Sequence, residues 1–77
     1  MNNNVSRRDQ LAAKMMVCSY TMKQLIIRIG DLEDTTQLSN EEKFEQIKNI
    51  KLEISKVSTE IDNIKREITL LSAYSVN

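Results

Sequence analysis

Few side chains in this sequence could do chemistry, because its 77 residues include no histidine and a single cysteine, Cys18. General acid–base and nucleophilic catalysis would therefore rest on carboxylates, hydroxyls or that one thiol. Glu41 and Glu42 are adjacent, but neighbouring residues of a helix point in different directions, and we interpret the pair as helix-capping groups. Cys18 lies in a row of apolar residues, where a thiol usually packs as a small hydrophobic group. We predict that the chain is not an enzyme and has no catalytic residues.

The residue types that hold metals, phosphates or organic cofactors are not arranged in a site either. One thiol without histidine cannot build a zinc site, and the acidic residues Asp31, Glu33 and Asp34 lack the spacing of a calcium-binding loop. Gly30 is the single glycine, which excludes a glycine-rich phosphate loop. We predict no metal, no cofactor and no small-molecule substrate.

The charge balance argues against nucleic acid as a partner. Eleven basic and eleven acidic residues give a net charge of zero, whereas a dedicated nucleic-acid binder carries a basic excess that contacts phosphates. Apolar runs such as residues 25–27, which ends at Arg28, are far too short for a membrane span. With no signal-peptide pattern before Arg7, we expect a cytoplasmic protein that binds neither nucleic acid nor membrane.

Two long helices are expected to position any functional residues of this chain. Over two segments the apolar residues recur at alternating intervals of three and four, which is the heptad pattern of helices that pack side by side. A strand would alternate every second residue, and neither segment does. The first apolar seam comprises Leu11, Met15, Cys18, Met22, Leu25, Ile29 and Leu32, and the second comprises Ile47, Ile50, Ile54, Val57, Ile61, Ile64, Ile68 and Leu71.

Capping signals mark where the two helices begin. Ser6 followed by Asp9 nearly matches a capping box, and Ser39 followed by Glu42 matches it fully. In a capping box the hydroxyl and the carboxylate accept hydrogen bonds from amides that the first turn leaves free. The first helix is therefore expected to begin near Arg7, and the second directly after Ser39.

The end of the first helix is set by Gly30 and the three acidic residues that follow it. Glycine favours a helix end, and carboxylates are unfavourable at the negative end of the helix dipole. We place this end between Gly30 and Asp34, and predict one domain with a first helix over about 7–32, a turn over about 33–39 and a second helix over about 40–74. A turn this short makes the helices antiparallel neighbours. The predicted fold is all-α, a two-helix antiparallel coiled-coil hairpin.

The charges support this pairing of the helices. Residues 1–30 carry five basic side chains and one acidic side chain, and residues 31–77 carry six basic and ten acidic ones. Antiparallel coiled coils bring their g edges together, and each exposed ion pair there contributes only ~0.2–1 kcal/mol, which selects an orientation. The g edge of the first helix holds Arg7, Lys14 and Arg28, and that of the second holds Gln46, Glu53, Glu60 and Glu67.

The hairpin leaves a second set of apolar residues unexplained. Met16, Tyr20 and Ile27 occupy b and f positions, almost opposite the seam of the first helix, and Val17 lies beside them. Methionine adapts its shape to a partner, and tyrosine is a frequent interface anchor. We predict that an amphipathic helix of another protein, or a second copy of this chain, covers this surface. The predicted partner-binding residues are Met16, Val17, Tyr20, Ile26, Ile27 and Leu52.

Residues 22–64 combine an amphipathic first helix, a short polar turn and an Asn/Asp-x-x-x-aromatic-x-Gln opening of the second helix, here Asn40-Glu41-Glu42-Lys43-Phe44-Glu45-Gln46. In these features the segment resembles the YscE-like co-chaperones of type III secretion. The resemblance implies a small chaperone that, together with a second chaperone, holds the amphipathic helix of the needle subunit before export. The strict isoleucine seam of the second helix departs from that family.

Two alternatives remain open from the sequence. The β-branched seam of the second helix is also typical of coiled coils with three or more parallel strands, which would make the chain a self-assembling structural subunit. Separately, the second helix resembles the motif Ser-Gln-Glu-Leu-Asp of the Spo0E-like phosphatases of a sporulation response regulator. That resemblance implies that Ser58 and Asp62 face a phosphorylated site. The matching residues are Ser58-Thr59-Glu60-Ile61-Asp62, in which the glutamine is missing.

Overall fold

A computed structural model of the chain describes residues 6–74. Two α-helices account for nearly all of them, α1 (Arg7–Asp34) and α2 (Asn40–Tyr74), joined by residues 35–39. The helices pack against each other in opposite directions in a body of 58 × 25 × 13 Å. The predicted all-α helical hairpin is therefore confirmed, and it is one helix thick in its thinnest direction.

Hydrogen bonds at both helix starts follow from the local sequence. The Ser6 hydroxyl accepts a hydrogen bond from the Asp9 amide at 3.1 Å. At α2 the box is reciprocal: the Glu42 amide donates to the Ser39 hydroxyl at 3.1 Å, and the Ser39 amide donates to the Glu42 carboxylate at 2.9 Å. The Ser39 amide, with help from its hydroxyl, lowers the pKa of Glu42 by stabilising the charged carboxylate. The capping box predicted at Ser39 is confirmed.

Helix α1 continues past Gly30 and ends at Asp34, two residues beyond the end predicted near Leu32. Gly30 has no positive φ, so it does not form the left-handed cap that glycine often provides. The chain turns instead at the extended residue Thr35, whose amide donates to the Asp31 carbonyl at 3.1 Å. Leu32 is half-buried, and its packing in the seam carries the helix beyond the glycine.

The core of the hairpin is a single layer of apolar side chains. Every residue of the two predicted seams is buried or half-buried, whereas the apolar residues off the seams that were predicted to bind a partner are exposed. Burial is deepest at Leu11, Cys18, Ile50 and Ile64. Cys18 is a free, buried thiol, as expected for a small apolar group of the seam. The remaining seam residues are half-buried.

An ion pair joins the g edges of the two helices. Arg7 Nε donates to Glu67 Oε2 at 2.7 Å. This hydrogen bond, and secondarily the negative charge of Glu67, raises the pKa of Arg7. The same hydrogen bond, together with the positive charges of Arg7 and Lys14, lowers the pKa of Glu67. One heptad further on, Lys14 and Glu60 border the same groove between the helices. The predicted attraction between the basic edge of α1 and the acidic edge of α2 is confirmed at Arg7 and Glu67.

Candidate partner-binding surfaces

The outward face of α1 carries a cluster of exposed apolar side chains. Met16 is 73% exposed, Val17 is 65% exposed and Tyr20 is 64% exposed. Because residues three and four apart are neighbours on a helix, these side chains form one patch with exposed Ala13, a turn before them. We call Ala13, Met16, Val17 and Tyr20 the α1 patch. It has the i, i+3, i+4, i+7 spacing of a surface that packs against another helix.

The other two predicted residues of α1 lie nearer the turn. Ile26 and Ile27 are both exposed, and Ile27 lies two helical turns beyond Tyr20, about 10 Å along the axis. Exposed Lys23 and Gln24 lie between them and the α1 patch. The predicted surface is therefore a compact cluster followed by a separate isoleucine pair. Both parts lie on the 28-residue helix α1, so a partner helix that packs along α1 could contact the two of them.

A groove between the helices adjoins the α1 patch. Its volume is about 400 Å³, and it is open to solvent on one side. Val17, Cys18 and Val57 provide its apolar surface, and Lys14 and Glu60 border it. Val17 thus belongs to both the groove and the patch. A side chain from a helix lying on the patch can reach into this groove.

Leu52 is the predicted residue that does not join the others. It is 57% exposed and lines a second groove, of about 550 Å³, together with Phe44, which is 68% exposed. We call this the turn-end groove; its lining residues are Glu33, Phe44, Ile47, Lys48, Lys51, Leu52 and Ser55. Phe44 is missed by reasoning from the seams, because it occupies an e position beside the seam. Its spacing of eight residues from Leu52, two turns on one face, is the signal that could have revealed it.

The residues that the sequence proposed for phosphatase chemistry lie on the surface of α2. Ser58 and Asp62, one turn apart on α2, are both exposed. Within residues 6–74 there is no group of three or more histidine, cysteine or acidic side chains placed to hold a metal ion. Over the same residues, neither helix combines the length and apolar character needed to cross a membrane.

Comparison of the chain with models of protein families, with curated proteins and with solved structures finds no match. The resemblances to secretion co-chaperones and to sporulation phosphatases stay predictions that rest on the motifs quoted above. The surface features of the hairpin that could bind a partner are the α1 patch, the two grooves and the charges around them.

Proposed function

We propose that this protein is a non-enzymatic interaction module, a small chaperone or adaptor that binds an amphipathic helix of another protein along the outward face of α1. The observation that carries the proposal is the contrast on one helix between two apolar stripes. Leu11 in the seam is 1% exposed, whereas Met16 is 73% exposed. A helix that is apolar on two sides normally packs between two neighbours, and α2 provides one of them.

The charges around the α1 patch indicate what the partner helix should carry. Between residues 10 and 30, α1 has the basic residues Lys14, Lys23 and Arg28 and no carboxylate. A partner helix with acidic residues flanking its apolar stripe would be attracted to this face. The corresponding face of a second copy carries the same positive charges and would be repelled. This favours a different protein as the partner.

In its most specific form the partner is the needle subunit of a type III secretion system, and the protein acts in the cytoplasm. That form is supported by the resemblance of residues 22–64 to the YscE-like co-chaperones. The apolar helix of an export substrate aggregates when it is exposed, and a hairpin with an open apolar face can cover it until export.

Photo-crosslinking in cells of the native host tests the proposal. A benzophenone amino acid replaces Tyr20, and in the control it replaces Thr59, an exposed residue on the outward side of α2. We expect a crosslinked product at Tyr20 that is absent at Thr59 and that disappears on Met16→Lys substitution. Products of equal yield at both positions, or none at Tyr20, would contradict partner binding at the α1 patch.

The mass of the product also separates this function from the self-assembling subunit. A product with twice the chain mass would identify a second copy as the occupant, and sedimentation equilibrium would then show a mass that rises with concentration. Ser58 and Asp62 are tested independently by incubating the protein and an Asp62→Ala variant with phosphorylated response regulators. A dephosphorylation that the variant loses would establish the phosphatase and displace the adaptor.

A further inference from the structure

The turn-end groove has the dimensions of a docking site for a short helix. Phe44 and Leu52 lie at its two ends, separated by eight residues or about 12 Å of helix rise. Half-buried Ile47 lies between them, and Glu33 of α1 borders the groove from the other helix. The apolar side chains thus provide contacts over two turns of a bound helix.

The charges of this groove differ from those on the opposite edge of the hairpin. Lys48 and Lys51 lie between the two exposed apolar residues and are themselves exposed. Among residues 6–74 neither lysine has a carboxylate within ion-pairing distance, whereas Arg7 on the opposite edge pairs with Glu67 at 2.7 Å. The groove therefore presents two lysines that form no ion pair among the described residues, beside one carboxylate, that of Glu33.

We propose that the turn-end groove is a second docking site, and that it binds an acidic amphipathic helix of a partner protein. The apolar side chains of that helix contact Phe44 and Leu52, and its carboxylates lie next to Lys48 and Lys51. Its end nearest Glu33 is neutral or basic. This inference goes beyond the proposed function, because the groove is on α2 and the α1 patch is on the other helix.

A second copy of the chain fits this groove poorly. A copy could insert its α1 patch, which is flanked by Lys14, Lys23 and Arg28, or its own turn-end groove, which carries Lys48 and Lys51. Those positive charges would lie against Lys48 and Lys51. Electrostatic complementarity across an interface favours the partner of opposite charge and disfavours the copy.

The test uses the full chain and a defined probe. The probe is a fluorescein-labelled helical peptide of about 18 residues, with leucines at spacings of three and four and glutamates between them. A control peptide has lysine in place of every glutamate. Binding is measured by fluorescence anisotropy to a Tyr20→Lys variant, in which the α1 patch is disabled. We expect saturable binding of the acidic peptide and binding about tenfold weaker for the basic peptide.

Two variants locate the binding in the groove. Phe44→Ser should abolish binding of the acidic peptide, and a Lys48→Glu, Lys51→Glu double variant should reverse the preference between the two peptides. All of these residues are exposed, so far-ultraviolet circular dichroism and the melting temperature should be unchanged. When Phe44→Ser is introduced into the chain that carries the crosslinker in place of Tyr20 and is otherwise wild type, the crosslink should still form. This result distinguishes failure of the turn-end groove from failure of the α1 patch.

Three outcomes would overturn the inference. The first is equal affinity for the acidic and basic peptides, and the second is a preference that survives reversal of both lysines. The third is self-association of the wild-type chain that Phe44→Ser abolishes in sedimentation equilibrium, which would place a second copy in the groove.

Discussion

Replacing Leu11 by alanine should destabilise the hairpin strongly, whereas replacing Met16 on the same helix should not. Leu11 is 1% exposed and belongs to the most buried cluster, with Cys18 and Ile64. Truncation of a buried leucine to alanine costs ~2–5 kcal/mol, depending on how far the surroundings relax into the cavity. Because this molecule consists of two helices with a single layer of apolar side chains between them, the side chains around Leu11 can close on the gap, and we expect the lower half of that range, ~2–3 kcal/mol.

That loss is large for a chain of this size. At ~0.05–0.15 kcal/mol per residue, 77 residues have a free energy of unfolding of ~4–12 kcal/mol. For a domain of 60–100 residues, each kcal/mol corresponds to ~4–8 °C, so the melting temperature should fall by ~10–20 °C. Met16→Ala removes a side chain that is 73% exposed and should change stability by less than ~0.5 kcal/mol.

Urea unfolding followed by circular dichroism, at several protein concentrations, measures both variants. The result that would refute the reasoning is a Met16→Ala loss equal to that of Leu11→Ala at every concentration. Such a result would mean that the two stripes of α1 are equally packed inside one chain. A loss for Met16→Ala that grows with protein concentration would show instead that this face is an interface between copies.

Three further predictions concern the ion pair, the cap and the glycine. Because the pKa of Glu67 is lowered in the folded protein, its ion pair with Arg7 contributes its full stability above pH 4.5, the ordinary carboxyl pKa, and that stability is lost as the pH falls through the lower, folded-state pKa. Glu67→Gln should therefore make the melting temperature less dependent on pH in the acid range. An acid-range dependence equal to that of wild type would exclude the pair. Ser39→Ala should cost ~1 kcal/mol in urea unfolding, because the Glu42 amide loses the hydroxyl that accepts its hydrogen bond, whereas the pKa of Glu42 should stay below its usual range in a carbon-detected NMR titration, because the amide of residue 39 is retained; an unchanged stability would show that the cap is not formed. Gly30→Ala should stabilise the protein by ~0.5–1 kcal/mol, because a Cβ at that helical position meets nothing within 4 Å, and any destabilisation would indicate that the helix does not continue through this position.

The sequence was sufficient for the fold because each local signal agreed with the others. The seams, the capping box at Ser39 and the opposite charges of the two g edges all indicate the same hairpin. The end of α1 was the least well predicted feature. Gly30 favours termination and Leu32 favours continuation, and the balance depends on how well Leu32 packs against α2, which spacing alone does not give.

The candidate surfaces could be predicted only in part. The heptad pattern identifies which apolar residues lie off the seam, and Met16, Val17 and Tyr20 are indeed exposed together. It does not show that Leu52 lies apart from them and shares a groove with Phe44. Grooves depend on the separation of the two helices and on side-chain directions, which the periodicity of one helix cannot specify.

Because the hairpin is only 13 Å thick, its stability in the cell should depend on whether a partner is bound. Any protein that binds only the folded form adds RT ln(1 + [L]/Kd) to the unfolding free energy, or ~2.7 kcal/mol at a hundredfold excess over Kd. For a chain of such modest intrinsic stability, that increment sets the fraction exposed to proteases. Cells that lack the proposed partner should therefore contain less of this chain, and the half-life of the chain should increase with the fraction bound to that partner.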